Sequence, residues 1–209
     1  MLIVLSNDDL KIELLAQGIN EKAEVFWTTS IDSISDDLKA DAIIDLLFEN
    51  NAERINKLKQ LQIETVFVNS VIHTLDQLPA GFIRFNGWKS FLKRSIVEAA
   101  CNNEIMKTKA SKIFSLFNKK IEWTADKPGF ITARVIGMII NEAYFTFEEK
   151  VSTKAEIDIA MKLGTNYPYG PFEWVEKIGV KNIYELLDYL FISNKRYKPS
   201  ALLQKEAAP

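Results

Sequence analysis

Few side chains in this sequence could do chemistry, and their types narrow the choice. His73 is the only histidine and Cys101 the only cysteine. An imidazole titrates near neutrality, so His73 is one candidate general base, set in a loop after the apolar run TVFVNSV. The plainer alternative is a solvated loop side chain. Cys101 has no histidine in a related motif to take its proton, and reads as a buried helix residue rather than a nucleophile. No grouping of Cys, His and Asp has metal-ligand spacing. The stretch GWKSFLKR brings together Lys89, Lys93 and Arg94, which suits a phosphate or, equally, a solvated helix face. Ser6-Asn7-Asp8-Asp9 puts two carboxylates where a helix begins, which favours the helix dipole and disfavours a bound anion.

These residues need a scaffold, and the chain has the composition for one. It has 209 residues, 47% hydrophobic and 26% charged, enough for one large domain or two small ones. A net charge of −2 offers no basic excess for nucleic acid or an anionic membrane. No apolar run approaches the ~18 residues of a spanning helix. The lone cysteine and the absence of a basic leader fit a cytoplasmic protein.

Strands and helices alternate through the first half. LIVLS (2–6), EVFWTTS (24–30), DAIIDLLF (41–48), TVFVNSV (65–71), GFIRFN (81–86) and KKIEWT (119–124) read as strands, with amphipathic helices between several of them. That alternation predicts a doubly wound, mostly parallel sheet in an α/β domain over 1–125. From Pro128 the apolar period is 3.6, with Ile131, Val135, Ile139 and Ala143 on one stripe, and predicts an all-α domain over 126–209. Pro128 is expected in the first helical turn. Thr153 with Glu156 has capping-box spacing, Gly164 is expected past that helix's end, and Asn182 is expected to open the next. The tail from Ser193 is polar, and its terminal Ala/Pro end reads as loose.

The second half resembles a known family. Asp126, Pro128-Gly129-Phe130-Ile131, Arg134, Asn141-Glu142-Ala143, Ile157-Asp158, KLGTNYPYGPFEW (162–174), Gly179 and RYKPSALL (196–203) are similar, in order and spacing, to the C-terminal domain of 3-hydroxyacyl-CoA dehydrogenases. The first half is more faintly similar, through ADAIIDLLFEN, TVFVNS and GFIRFN. The resemblance implies a Rossmann-like domain followed by the family's helical domain. It also implies NAD-dependent oxidation of the 3-hydroxyl of an acyl-CoA between the two, and a dimer through the helices.

Matched residue by residue, the family's polar positions are mostly substituted. Its glycine-rich turn corresponds to Ser6 through Lys11, with Ser6, Asp8 and Lys11 replacing glycines; a charge repulsion there is about 4 kcal/mol at ~4 Å and an effective dielectric near 20. The carboxylate ending its second strand corresponds to Thr28. Its catalytic His corresponds to Ile83, its Ser to Val71, and its helical Asn to Ala133. Its Glu corresponds to Ile96, or to Glu98 across a short insertion. Asn69 and Asn86 match at strand ends and, with Lys89, are the candidate substrate contacts. The expectation is a homologue that has lost NAD binding and catalysis, with no cofactor, binding acyl-CoA or acting as a regulator. The alternatives are an active dehydrogenase with a rearranged site, and a structural subunit pairing with a full-length paralogue. A homodimer is expected through apolar helix faces carrying Phe145, Phe147, Tyr184, Tyr189 and Phe191.

Overall fold

The computed structural model describes residues 1–35 and 38–208. Seven strands form one sheet: β1 (Leu2–Leu5), β2 (Val25–Thr28), β3 (Ala42–Asp45), β4 (Thr65–Asn69), β5 (Phe82–Phe85), β6 (Ile96–Ala100) and β7 (Lys120–Trp123). Their order is β2-β1-β3-β4-β5-β6-β7. The first five run parallel, β6 is antiparallel to β5, and β7 is parallel to β6. The sheet is therefore the Rossmann-like, doubly wound and mostly parallel one expected, with a strand the pattern missed. IVEAA hides β6 because its central Glu98 is buried in spite of its charge.

Alternation along each strand builds two cores. Leu2, Val4, Ile44, Phe67, Ile83 and Phe85 pack on one face with Leu14 of α1 (Asp8–Leu14) and Phe114 of α3 (Glu104–Ser115). Ile3, Leu5, Ile43, Val66 and Val68 pack on the other with Leu58 of α2 (Ala52–Gln60). A run buried on both faces reads as continuously apolar, which is why β1 and β3 were plain in the sequence.

Met1–Phe130 forms one compact unit and Ile131–Pro209 a second, so the division falls five residues after the composition shift at 125/126. The intervening residues belong to the sheet unit for a physical reason. Asp126 pairs with the fully buried Arg84 of β5 at 2.9 Å, and the Lys127 carbonyl accepts from the same guanidinium at 3.1 Å. The Gly129 N–H donates to the Val71 carbonyl, and the Arg84 guanidinium lies 4.0 Å from the centroid of the Phe130 ring.

The second unit contains α4 (Thr132–Glu148), α5 (Lys154–Thr165), α6 (Pro171–Ile178), α7 (Val180–Ser193) and α8 (Ala201–Ala207). The Thr153–Glu156 capping box is formed. Other boundaries differ from expectation. Pro128 precedes α4 by four residues, because Gly129 and Phe130 take left-handed φ values of 81° and 49° and cannot continue a right-handed helix. Gly164 lies inside α5, and Asn166, at φ 56°, supplies the left-handed end instead. Asn182 sits within the first turn of α7, where its carboxamide donates back to the Ile178 carbonyl at 2.6 Å. The tail is folded: Asn141 accepts from the Ser200 N–H and donates to the Lys198 carbonyl, and Tyr144 donates to Glu206 of α8 at 2.6 Å. Ile131 and Val135, at 58% and 50% exposed, leave the first half of the apolar stripe uncovered.

Candidate functional site

The carboxyl ends of β4 and β5 carry a polar cluster laced through the backbone. Asn69 accepts from the Gly87 N–H at 3.0 Å and donates to the Leu46 carbonyl at 3.1 Å, tying together the ends of β3, β4 and β5. Gly87 is needed there: a Cβ would sit 2.8 Å from the Asn69 carboxamide carbon. Asn86 donates to Glu98 at 3.0 Å, and its main-chain N–H donates to the Glu98 carbonyl at 2.9 Å. Glu98 is buried, whereas Ile96 is about half exposed at the outer end of β6. Of the two residues that could match the family glutamate, Glu98 is the one placed against Asn86.

A strap from Trp88 to Ser95 joins Asn86 to β6. Its Trp88, Phe91 and Leu92 are buried. Burial holds the Arg94 guanidinium below its usual pKa, with the Glu98 charge acting in the opposite direction. Lys89 faces away, pairing with Asp9 of α1 at 2.6 Å, and that hydrogen bond raises its pKa. The Lys93 carbonyl accepts from the Gln17 side chain at 3.0 Å. The cluster thus gathers Asn69, Asn86 and Glu98, and leaves Lys89 engaged with α1.

The remaining sequence candidates take other places. Ile83 is fully buried in the core, Val71 is buried and contributes its carbonyl, and Ala133 is fully buried in α4. His73 lies in the loop after β4, where its carbonyl accepts from the Ser70 hydroxyl at 3.0 Å. Cys101 is in the loop between β6 and α3 rather than in a helix, and is partly exposed. Among the described residues no group of three or more His, Cys, Asp or Glu side chains could hold a metal, and no helix is long and apolar enough to cross a membrane.

The fold family implies a dinucleotide, whose phosphates would lie against the β1–α1 turn. Asn7 caps α1 with its own side chain, accepting from the Leu10 N–H at 2.9 Å, where a pyrophosphate would need that donor. Asp8 and Asp9 are exposed in the first turn. The Thr28 hydroxyl at the end of β2 accepts from the Ser30 N–H at 3.1 Å. These residues do not fit a dinucleotide's phosphates or ribose, and no step is routed through such a group.

Several important side chains were not singled out from the sequence. Lys119 is 1% exposed and donates to the carbonyls of Leu92 and Arg94 at 2.7 and 2.8 Å; burial lowers its pKa to about 8. Asp45, fully buried at the end of β3, accepts two 2.7 Å bonds from Arg54, yet burial raises its pKa, with the guanidinium opposing. Arg84 did carry a signal, since a charge inside GFIRFN needs a buried partner.

Residues 129–208 match the family model described as "3-hydroxyacyl-CoA dehydrogenase, C-terminal domain". Over 115 residues the chain is 37% identical to a 3-hydroxyadipyl-CoA dehydrogenase of Escherichia coli, which covers 54% of this chain and 24% of that protein. It is 26% identical over 204 residues to a 3-hydroxybutyryl-CoA dehydrogenase of Clostridioides difficile, covering 88% of this chain and 72% of that one. The structure of a (S)-3-hydroxybutyryl-CoA dehydrogenase from Ralstonia eutropha superposes with a TM-score of 0.76 at 20% identity, covering 98% of this chain and 91% of that one. The chain spans about a quarter to a third of the length of the first two curated relatives it matches. These relatives are named as dehydrogenases, which overturns the expectation of a homologue that has lost its chemistry; an active dehydrogenase with a rearranged site fits them better.

Proposed function

This chain belongs to the 3-hydroxyacyl-CoA dehydrogenase family, and from that premise we propose that it is an oxidoreductase acting on 3-hydroxyacyl-CoA thioesters through a site rearranged around Glu98. Oxidising a secondary alcohol takes a base for the hydroxyl proton and an acceptor for the hydride; the acceptor would be a nicotinamide cofactor held otherwise than by the β1–α1 turn, which does not fit its phosphates. Ile83 cannot serve, but Glu98 can accept a proton. The observation that carries the reading is its placement: a buried carboxylate at the carboxyl edge of the sheet, held by Asn86. Crevices at the carboxyl ends of strands are where open α/β sheets bind ligands. His73, in a loop at the same edge, is the competing base. Asn69 and Asn86 have their carboxamides committed to protein partners, which favours a role in shaping the site.

Pairing through the helical unit is part of the proposal, as is a cytoplasmic setting in keeping with the single thiol of Cys101. Val151, Ile159 and Leu163 are 68%, 53% and 83% exposed and, with Ile131 and Val135, offer apolar surface for a second copy. Phe145, Phe147, Tyr184, Tyr189 and Phe191, the side chains expected at that interface, are half-buried within their own unit. The test is turnover by the purified chain across a series of 3-oxoacyl-CoA chain lengths with reduced nicotinamide cofactor. Consumption of both substrates supports the reading. A folded protein that consumes neither at any chain length overturns it.

A further inference from the structure

A dinucleotide lies across the point where the strand order of an open α/β sheet reverses, with one half on each side. In this sheet the order β2-β1-β3-β4-β5 reverses at β1. The two sides are not alike. Among the described residues the β1 side has two strands, ending at β2, where the usual dinucleotide-binding sheet has three. Its turn reads Ser6-Asn7-Asp8-Asp9, with no glycine. The Asn7 carboxamide already accepts from the Leu10 N–H, and Asp8 and Asp9 put two carboxylates in the first turn of α1. At the end of β2 the Thr28 hydroxyl is bonded locally, to the N–H and the carbonyl of Ser30. The other side ends in the polar cluster of Asn69, Asn86 and Glu98.

The closed turn is also held closed. Asp9, Glu13 and Gln17 recur at every fourth residue along α1 and the short 3₁₀ turn that continues it, and each bonds the strap that follows Asn86. Asp9 pairs with Lys89 at 2.6 Å, both Glu13 carboxylate oxygens accept from the Ser90 N–H at 2.7 Å, and the Gln17 carboxamide donates to the Lys93 carbonyl at 3.0 Å. The Gln17 carbonyl in turn accepts from the Asn118 side chain at 2.9 Å. Freeing the first N–H groups of α1 for a phosphate would unmake the Asn7 cap, and drawing the helix back would break this lacing. The nearby cations are engaged as well: Lys89 by Asp9, and Lys11 over the Trp27 ring, 4.8 Å from its centroid. A pyrophosphate would meet two like charges and a helix end already capped. We propose that this chain takes a nicotinamide carrier by its nicotinamide half alone, so that a carrier lacking the adenosine diphosphate half binds as well as the dinucleotide. The inference rests on the reading of the chain as a 3-hydroxyacyl-CoA oxidoreductase and names the half of the cofactor that the protein recognises.

The experiment is calorimetric titration of the full chain with NADH, with reduced nicotinamide riboside, and with ADP-ribose, which carries the other half without the nicotinamide. The expected result is a dissociation constant for NADH within about tenfold of that for the riboside, and no ADP-ribose binding tighter than about 1 mM. Asp8→Asn removes one charge at nearly constant size. It is expected to tighten NADH by about threefold or more and to leave the riboside unchanged, because only the dinucleotide brings phosphates to the turn. ADP-ribose bound more tightly than about 1 mM by the wild-type chain, or NADH preferred over the riboside by more than about tenfold, would overturn the proposal. An Asp8→Asn variant that tightens neither carrier, or both equally, also counts against it. Either of those results with turnover intact leaves the oxidoreductase reading standing. If neither reduced carrier binds, this proposal falls, and the turnover assay decides the functional reading separately.

Discussion

Removing Asp126 should cost more than removing the arginine it pairs with, although the arginine is the larger group. Arg84 is fully buried, whereas the Asp126 side chain is 24% exposed. In Asp126→Asn the guanidinium keeps acceptors at the Lys127 and Val71 carbonyls, at 3.1 and 3.4 Å, but loses its counter-charge. The amide oxygen can still accept from the Leu75 N–H, now bonded to Asp126 at 2.9 Å, so the substitution isolates the charge. Breaking a buried pair from one side costs ~3–5 kcal/mol; partial solvent access and the two carbonyls bring this case to about 2–3. Arg84→Met fills a similar volume with apolar atoms beside Phe130, and the aspartate left behind is partly hydrated, so about 1 kcal/mol is expected. The double variant should recover much of the Asp126→Asn loss, because no charge is left buried. Urea unfolding would be followed by tryptophan fluorescence in a Trp174→Phe background, where Trp27, Trp88 and Trp123 all report on the sheet unit. If Arg84→Met is the costlier change, or the two losses simply add, the reasoning is wrong.

Lys119, with a folded pKa near 8 against an ordinary 10.5, binds fewer protons folded than unfolded across that window. Its contribution to stability should therefore rise by about 3 kcal/mol as pH climbs from 8 to 10.5, and Lys119→Met should flatten that rise in urea midpoints taken across the range. Thr153→Ala removes the side-chain cap from α5 and should cost about 1 kcal/mol, read as a lowered thermal midpoint of the helical unit; no change would mean the cap is redundant. Val135→Asp with Leu163→Asp should convert the proposed dimer to monomer in sedimentation equilibrium, and dimers that survive both changes would move the interface elsewhere.

The parts of the fold that could be read in advance were those with one dominant physical signal. A strand buried on both faces and wholly apolar, such as β1, has no polar alternative, and the Thr153–Glu156 box has a fixed spacing. Helix ends misled wherever two residues could do the same job. Gly164 and Asn166 both tolerate left-handed φ, and α5 runs past the glycine to end at the asparagine. The strand β6 was obscured by Glu98, the residue that makes it interesting, because burying a carboxylate breaks the pattern by which strands are recognised. Within the site, Asn69, Asn86 and Glu98 were legible as positions. The bond from Asn86 to Glu98 was not, since it depends on the eleven residues between them folding back as a strap. Lys119 gave no local sign at all, because its partners are carbonyls more than twenty residues away.

The central claim is that Glu98 is the base of a working site, and the most direct measurement compares Glu98→Gln with His73→Ala in one assay. Steady-state oxidation of 3-hydroxybutyryl-CoA by the purified full chain, with an oxidised nicotinamide cofactor supplied, would give kcat and kcat/KM for each. Glutamine keeps the size of Glu98 and can still accept the Asn86 bond while losing basicity. The account predicts a fall of about 10²–10⁴-fold in kcat for Glu98→Gln and a change of less than about threefold for His73→Ala. A Glu98→Gln variant that turns over at the wild-type rate, or a His73→Ala variant that takes the larger loss, would contradict it.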